Sequence, residues 1–451
     1  MGRIGHQAFG GEKEMKSLSI FLAGLLFWFA GMAGMAAEEI PWQLGREPEA
    51  YALGNDLSVI LQKDDAAAIT AVQLLVRGGD RDDPAGLSGL AYLTARLSLE
   101  IPDQSKLQQL MDFGSSFSLA VGGDYTLLSV RSLSRHLDAT LAIISAILVK
   151  PLFSDLRIDA IKELMRHLQK REMDDPTNLM RLTLARTFFA NSAYGAARFG
   201  SETSLAEIGK KDIQAFFRSH YVAGNMTAVV ISDLDADVIK PILNRHLGVI
   251  PTGPRLPFKP AGLRPLPSQR LTLGRQSAQA HLSLSVLLPE ATPDHFIMAA
   301  LLETWLGKGI GSRLWSLRSR DDLAYGLNAE LRPNREAMLL SVYLQTDNRR
   351  SPQALKELMQ LMQTVHDTGS DEAELAAAKA YARADFWREN ETREHRAATL
   401  AFLEGSGLSY RLAGDFSERL EKISLEEFNR ALRAWLAPER WFVLHIGPAA
   451  K

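Results

Sequence analysis

The side chains that this chain lacks limit the chemistry open to it. Its 451 residues include ten histidines and no cysteine. Disulfides, thiolate nucleophiles and thiolate zinc sites are therefore excluded, and a metal can bind only through His, Asp or Glu. Glu163 and His167 lie four residues apart on one helix face, but two ligands are too few for a zinc site. Glu391, Glu394 and His395 form a second such combination, in a highly charged segment that favours a solvated helix face.

A glycine-rich stretch between a strand and a helix is the most informative part of the sequence. The strand ends at Gly78 and Gly79, an acidic turn follows, and Gly89 precedes the helix, in the run VRGGDRDDPAGLSGLAYLTAR from residue 76 to residue 96. This run resembles the pitrilysin/insulinase family, the inverzincin metallopeptidases, whose helix carries H-x-x-E-H. In that family the two histidines bind zinc and the glutamate between them activates the zinc-bound water.

The three motif positions are occupied here by Tyr92, Ala95 and Arg96. The resemblance therefore implies a degenerate zinc motif, since tyrosine is a poor ligand at neutral pH, alanine is no base and arginine is always cationic. The family takes a further glutamate from a later helix. The local pattern places that position at His167, whereas spacing alone also allows Glu172. We expect His167 to be an ordinary solvated or capping helix histidine.

The second part of the chain continues the resemblance. The parts that match the carboxy-terminal domain of the family are Leu301 to Leu306, Gly307, Gly309-Ile-Gly311, Ser312-Arg313-Leu314 and the run from Arg318 to Tyr325. In that domain a helix carries an arginine and the following strand a tyrosine seven residues later, and both bind the substrate backbone and stabilise the tetrahedral oxyanion. Arg318 and Tyr325 have this spacing. The resemblance implies these roles for them.

The elements that must position these residues form two halves of similar plan. A helix that follows Ile208 leads to a strand at Met226, and the same order recurs after Ile423 and at Trp441, at a constant offset of 215 residues. Strand pairs alternate with helix pairs in both halves. We therefore predict an α+β fold of two duplicated domains, each a largely antiparallel sheet packed with helices, forming a clam-like body.

Proline density marks the boundary between the halves. Residues 251–270 are predicted to be an extended linker, because proline fixes φ and removes hydrogen-bond donors. This gives a first peptidase-like domain at 38–250 and a second at 271–451. Apolar alternation and helical periodicity predict the following elements. The strands are 57–62, 70–77, 125–132, 226–232, 280–288, 323–331, 337–345 and 440–446, and the helices are 87–99, 137–148, 157–171, 293–305, 352–365 and 371–387.

Residues 1–37 are predicted to be a signal peptide. Lys13 and Lys16 precede an uncharged apolar run from Ser17 to Ala37, which ends in small residues. Cleavage would release a periplasmic protein without stable membrane insertion, whereas an uncleaved segment would anchor it. The 51 basic and 53 acidic residues nearly balance, which argues against nucleic acid as a partner.

The resemblance implies a subunit of a periplasmic heteromeric zinc peptidase. A homologous partner would carry H-x-x-E-H and the zinc, so no cofactor and no metallopeptidase activity are expected in this chain alone. Arg318 and Tyr325 would complete the partner's site, and peptides or unfolded polypeptides would be the substrates. The alternative is a non-catalytic scaffold or peptide-binding protein of the same fold. An independent serine hydrolase is disfavoured because no G-x-S-x-G occurs.

Overall fold

A computed structural model describes residues 46–190, 192–260, 262–263, 266–319 and 323–448. The predicted signal peptide, residues 1–37, lies outside these ranges and stays a prediction. Among the helices within the ranges, none combines the length and the apolar character needed to cross a membrane.

The described residues contain eleven strands. Their bounds are β1 Glu49–Ala52, β2 Ser58–Lys63, β3 Ile69–Arg77, β4 Ser116–Val121, β5 Tyr125–Leu133, β6 Met226–Ser232, β7 Gln269–Gly274, β8 Gln279–Leu288, β9 Gly326–Pro333, β10 Met338–Asp347 and β11 Phe442–Gly447. All eight predicted strands are confirmed, with small shifts at their ends. Sequence reasoning missed β1, β4 and β7.

Fifteen α-helices are found in the same ranges. Their bounds are α1 Leu90–Ser98, α2 Gln104–Asp112, α3 Leu137–Val149, α4 Asp155–Asp174, α5 Pro176–Phe188, α6 Glu202–Glu207, α7 Lys210–His220, α8 Ala236–Leu247, α9 Pro293–Gly307, α10 Ser316–Ser319, α11 Ser351–Thr368, α12 Glu372–Glu389, α13 Arg393–Gly405, α14 Leu412–Lys422 and α15 Leu425–Trp435. The six helices that were predicted with bounds are confirmed, and α5 is among those that were missed.

Two mixed sheets give an α+β fold. The first sheet has the order β1-β2-β6-β3-β5-β4 and the second the order β7-β11-β8-β10-β9. The pairs β2–β6 and β7–β11 are parallel, and every other pair is antiparallel. From β2 onward the two sheets therefore follow one topology in chain order. This agreement confirms the predicted duplication of a largely antiparallel unit.

The central strands are apolar on both faces. All seven residues of β6 are buried, as are the seven inner residues of β3, and both strands are rich in Val, Ile and Leu. Such runs are typical of strands covered by other elements on both sides. In the edge strands β4 and β7 exposed and half-buried residues alternate instead. Helices must therefore cover both faces at the centre of the first sheet.

Two of the covering helices cross from one half of the chain to the other. Helix α13, from the second half, packs on β3, β5 and β6 of the first sheet. Its buried Leu400 and Ala401 belong to the same apolar cluster as Leu75 and Val229. Helix α5, from the first half, packs on β8 and β11 of the second sheet. The exchange is reciprocal, so each sheet depends on the opposite half for its core.

The beginning of α13 corrects a prediction from the sequence. The segment around Glu394 and His395 was predicted to be a solvated helix face, and His395 is indeed exposed. Arg393 and Arg396, however, are only 6% and 9% exposed. Both are salt-bridged to Asp64, at 3.0 Å in the case of Arg393, and Arg393 also donates to backbone carbonyls before β3. The prediction was wrong for the arginines because their partner lies more than 300 residues away.

The proline-rich connection packs against both halves. Residues 251–260 form neither helix nor strand, and β7 begins at Gln269, inside the predicted linker. The ring of Phe258 lies 4.1 Å from the Arg81 guanidinium carbon and 4.0 Å from that of Arg335, measured to the ring centroid. Arg81 also donates to the backbone carbonyl of Lys259. These contacts hold the connection in one position.

Candidate functional site

A buried carboxyl group fixes the start of helix α1, which carries the three motif positions. The Asp83 carboxyl accepts hydrogen bonds from the backbone N–H groups of Gly89 and Ala91, at 2.6 and 2.7 Å. Burial raises the pKa of Asp83 to about 8, although both N–H groups act against this shift. Gly89 has a φ of 95°, and a Cβ there would lie 2.9 Å from the backbone nitrogen of Gly200. The sequence therefore needs glycine at this turn.

The three motif positions have very different surroundings. Ala95 is completely buried in the apolar cluster that α1 forms with α4 and α7. Tyr92 is half-buried and contacts Phe199 edge-to-face, with ring centroids 4.9 Å apart. The Nε atom of Arg96 is buried and finds no hydrogen-bond partner among the described residues. An alkyl group, a phenol and a permanent cation do not form a donor set for zinc.

Arg198 connects Tyr92 to nearby carboxyl groups. Its Nε donates to Asp80 Oδ2 at 2.9 Å. Burial raises the pKa of Tyr92, while the charges of Arg96 and Arg198 lower it in part. Burial also raises the pKa of Glu172, again opposed by Arg198. Glu172 and Tyr92 therefore share one electrostatic environment.

The two alternatives for the further family position differ in the structure. The His167 side chain is exposed to solvent on α4. Glu172, later on the same helix, is half-buried and interacts with Asp80 and Arg198. The structure thus brings Glu172, rather than His167, into the surroundings of Tyr92. Within the described ranges, no group of three or more His, Asp or Glu residues is arranged to hold a metal ion.

Asp80 was part of the acidic turn in the sequence, but its position was not foreseen. The residue is 7% exposed, and its Oδ1 atom has no hydrogen-bond partner within the described part of the chain. Burial raises its pKa to about 6, even though Arg198 lowers it. Asp80 borders a cavity of about 400 Å³ that also includes Glu172 and Arg198. The cavity is linked to the degenerate motif through Arg198, whose charge also acts on Tyr92.

The opposite wall of this cavity comes from the second half. Glu330 and Arg332 on β9 line it, and they face Arg181 from α5. The Glu330 carboxylate pairs with Arg181 at 3.1 Å and with Arg332 at 3.2 Å. Acidic and basic groups thus alternate around the opening. Such a lining suits polar groups of either charge more than an apolar ligand.

Arg318 and Tyr325 lie on the surface of the second half. Arg318 is exposed, and its guanidinium carbon is 5.3 Å from the ring centroid of Trp315. Tyr325 is 55% exposed, and its backbone N–H donates to the Gln345 carbonyl at 2.8 Å. Leu323, two residues before Tyr325, is buried. The tyrosine ring and the guanidinium group are therefore held by the fold but are open to solvent.

The two sets of predicted site residues are not brought together. Among the described residues, no hydrogen bond or ion pair joins Arg318 or Tyr325 to Tyr92 or Arg96. Tyr325 immediately precedes β9, whereas Arg332, near the cavity, lies close to its other end. At about 3.3 Å per residue, this separation along the strand is about 20 Å. Within one chain, Tyr325 thus lies at the end of β9 that is far from the cavity lined by Glu172 and Arg198.

Two family models match successive segments of the chain. A model described as "Insulinase (Peptidase family M16)" matches residues 58–202, which include the three motif positions. A model described as "Peptidase M16 inactive domain" matches residues 207–381, which include Arg318 and Tyr325. The two matched segments follow each other with a gap of only a few residues.

Curated relatives extend over most of the chain. An uncharacterized zinc protease of Mycobacterium tuberculosis (strain ATCC 25618 / H37Rv) is 24% identical over 410 residues, which cover 89% of this chain and 93% of the relative. The mitochondrial-processing peptidase subunit beta of Lentinula edodes is 20% identical over 347 residues, which cover 72% of each chain. The similarity thus extends over 89% of the chain in the first case and over 72% in the second.

Solved structures share the fold. The peptidase M16 inactive domain from Pseudomonas fluorescens matches with a TM-score of 0.81 and 21% identity, over 90% of this chain and 98% of that chain. The periplasmic protease PqqL from Escherichia coli matches with a TM-score of 0.73 and 16% identity, over 90% of this chain and 46% of that chain. At these identities the likeness concerns the fold.

Proposed function

Because the chain belongs to the M16 (insulinase/pitrilysin) peptidase family, we propose that it is the non-zinc-binding subunit of a heteromeric zinc peptidase. The observation that carries this proposal is the set of residue types at the three motif positions. Ala95 is fully buried and has no ionisable group, and Arg96 places a cation where the family has a ligand. The general base and the metal are therefore assigned to a partner chain that carries H-x-x-E-H.

The exposure of Arg318 and Tyr325 supports a role toward that partner. A guanidinium group can donate two hydrogen bonds to a peptide carbonyl, and a phenol can donate one more. As negative charge develops on the carbonyl oxygen, these bonds strengthen and stabilise the tetrahedral oxyanion. Because both side chains are open to solvent, they can reach a substrate held by another chain. In this arrangement Arg318 and Tyr325 are the catalytic residues of this subunit.

The same family context supports the remaining parts of the proposal. Relatives are named zinc proteases, and one is a peptidase subunit. The predicted signal peptide supports a periplasmic location. Peptides or unfolded polypeptides are the proposed substrates, because the oxyanion contacts address the peptide backbone.

The test combines this chain with the H-x-x-E-H protein encoded by a neighbouring gene. We expect the two proteins to co-purify, and the mixture to cleave unfolded polypeptide much faster than either protein alone. Arg318→Ala and Tyr325→Phe should lower kcat of the mixture by about 10²-fold or more, as for the loss of an oxyanion donor. Zinc content and complex formation should not change.

Matched controls are available on the same half. Arg411 is another exposed arginine near an aromatic ring, at 5.6 Å from the centroid of Tyr410, and Tyr381 is another exposed tyrosine. Arg411→Ala and Tyr381→Phe should leave turnover unchanged. A mixture without complex formation or gain in cleavage would contradict the proposal. Stable assembly that is indifferent to Arg318 and Tyr325 would instead support the scaffold function.

A further inference from the structure

A second cavity, of about 290 Å³, lies where the two halves meet the connecting segment. It is bordered by the end of β3, by residues 255–259 and by the turn between β9 and β10. The charged side chains of the lining are strongly biased toward positive charge. They comprise five cationic residues, Arg77, Arg81, Arg255, Lys259 and Arg335, and two acidic residues, Asp82 and Asp124.

One arginine of this set is already neutralised. Arg81 donates to Asp124 Oδ1 at 3.2 Å and to the Tyr194 hydroxyl at 2.9 Å, and it lies 3.5 Å from a carboxylate oxygen of Glu336. Asp124 is also fully engaged, because it accepts from Tyr194 at 2.6 Å and from the backbone N–H of Arg335 at 3.1 Å. Neither group is left to balance the other arginines.

Of the three remaining arginines, Arg77 alone has a carboxylate partner among the described residues. Arg77 pairs with Glu404 at 3.0 Å, and its side chain is 10% exposed. Burial and the charges of Arg255 and Arg335 together lower the pKa of Arg77 to about 10, against the effect of Glu404. Within the described ranges, neither Arg255 nor Arg335 forms an ion pair. These three positive charges are therefore close enough to repel one another.

The remaining acidic residue does little to offset this charge. Asp82 accepts a hydrogen bond from the backbone N–H of Gly79 at 3.0 Å, and it faces His220 on α7. Burial raises the pKa of Asp82. Its carboxyl group is thus held by its own turn rather than by the arginines.

We propose that this cavity binds a small multivalent oxyanion of the phosphate type, which bridges Arg77, Arg255 and Arg335. Guanidinium groups present planar pairs of donors that match the oxygens of phosphate. Phe258 stacks on Arg335 and so fixes its orientation before a ligand arrives. The volume lies at the lower end of the range for small-molecule sites, so it suits an inorganic anion or a small phosphorylated or polycarboxylate molecule. The bound anion would connect three segments of the chain.

The experiment measures binding of inorganic phosphate to the full chain by equilibrium dialysis, and the melting temperature as phosphate is added. We expect saturable binding of one phosphate per chain and a saturable rise in Tm. Sodium chloride at the same ionic strength should not reproduce the rise. Citrate and pyrophosphate, used as separate probes, distinguish a polycarboxylate from a phosphate ligand, and binding of either class supports the site.

The variant Arg255→Gln tests the role of the cluster. Residue 255 is exposed and has no ion pair in the described structure, so the variant should fold. Its affinity for phosphate should fall about tenfold or more, which corresponds to the loss of one charge-assisted contact. Without phosphate its Tm should stay the same or rise, because one repulsive charge is gone. A purely structural role for Arg255 would lower Tm instead.

Arg433→Gln serves as the control, because Arg433 is also exposed but lies on α15. It should bind phosphate like the unaltered chain. The proposal is overturned if no saturable binding of any of the three anions occurs, or if Arg255→Gln and Arg433→Gln bind equally well. Neither result affects the assignment of Arg318 and Tyr325, because the two sites share no residue.

Discussion

Helices α5 and α13 occupy equivalent places in the two halves, yet they make very different contacts. Helix α13 packs on the first sheet, where its apolar residues contact β3, β5 and β6. Its first turn is also joined to Asp64 by salt bridges. Helix α5 packs on the second sheet through Met180, Leu184 and Phe188. Its neighbouring face borders the 400 Å³ cavity. Of the two cavities described above, the smaller meets the α13 crossing only at its last residue, Gly405, whereas the larger lies along the α5 crossing, so we call the first crossing sealed and the second open.

The two crossings therefore differ in role: the α13 crossing stabilises the fold, whereas the α5 crossing leaves its surroundings accessible to solvent. The sealed crossing buries charged and apolar side chains together. We therefore expect substitutions at almost every position of this crossing to destabilise the fold. The open crossing borders the cavity that Glu172 and Arg198 line, and the charge of Arg198 also acts on Tyr92. In a duplicated fold, one crossing can thus hold the two halves together while the other stays accessible to solvent. Four changes, two at each crossing, test this division.

The largest effect is expected at the sealed crossing. Asp64→Ala removes the partner of two arginines that are nearly buried, and uncompensated buried charges cost about 3–5 kcal/mol of unfolding free energy. Urea denaturation measures this loss. The control is Glu426→Ala, which removes an exposed ion pair to Arg430 and should cost less than about 1 kcal/mol. Equal effects of the two variants would mean that α13 is not the sealed crossing.

The pH dependence of stability should differ between the two crossings. Burial acts to raise the pKa of Asp64, but the hydrogen bond from Arg393 and the charge of Arg396 help to lower it to about 2. A lowered pKa stabilises the fold above the unfolded value near 4, and this contribution is lost as the pH falls toward 2. The pKa of Asp80, in contrast, is raised to about 6. Its contribution is complete below about pH 4 and is lost as the pH rises toward 6.

The variant Asp80→Asn isolates the contribution of Asp80 to the pH dependence of stability. The shift from 3.8 to about 6 corresponds to about 2–3 kcal/mol, so the variant should flatten the decline in unfolding free energy between about pH 4 and 6. Part of the decline should remain, because burial raises the pKa of Asp83 as well. Chemical denaturation at a series of pH values measures both slopes. An unchanged slope in Asp80→Asn would show that Asp80 is not buried at the cavity.

A smaller effect is expected at the end of α13. A Cβ at Gly405 would lie 2.6 Å from Leu75 Cδ1 and from Tyr125 Cδ1, so Gly405→Ala should cost about 1–3 kcal/mol through overpacking. Gly414 in α14 has nothing within 4 Å of the same position. Gly414→Ala should therefore stabilise the protein, by about 0.5–1 kcal/mol. Thermal unfolding of both variants gives the sign, and two effects of the same sign would contradict the packing described for α13.

The smallest effect is expected at the rim of the open crossing. Arg181 is 46% exposed in its side chain and pairs with Glu330, which is 31% exposed. Arg181→Gln should change the unfolding free energy by at most about 1 kcal/mol. Urea denaturation at two salt concentrations checks this, because a screened surface pair loses its contribution at high salt. A cost near that of Asp64→Ala would mean that both crossings are sealed.

Much of the fold could be predicted because the sequences of the central strands indicate that these strands are buried. Continuous apolar runs such as those of β3 and β6 are visible in any window of the sequence. The edge strand β4 was missed because its residues are mostly exposed or half-buried. The burial of the first turn of α13 was missed for a different reason: Arg393 and Arg396 look solvated until Asp64 is known to face them. A salt bridge between residues that are far apart in the chain leaves no pattern in the sequence around either residue.

The site shows the same limit. The spacing of Tyr92, Ala95 and Arg96 follows from helix periodicity and could be seen directly. The family pattern placed the further position at His167, whereas spacing also allowed Glu172, and only the structure shows that Glu172 faces Arg198. The assignment of Arg318 and Tyr325 to substrate stays a prediction, because their exposure is necessary for that role but does not identify a partner.

The reciprocal crossing also constrains how this architecture arose. If each sheet needs a helix from the other half, a single half would expose the apolar surface that α5 or α13 now covers. An ancestral chain of half this length could have met that need by exchanging helices with a second copy of itself, as in a domain-swapped dimer. Fusion of two such copies would free each junction to change alone. The sealed and the open crossing would then be the diverged descendants of one symmetric contact.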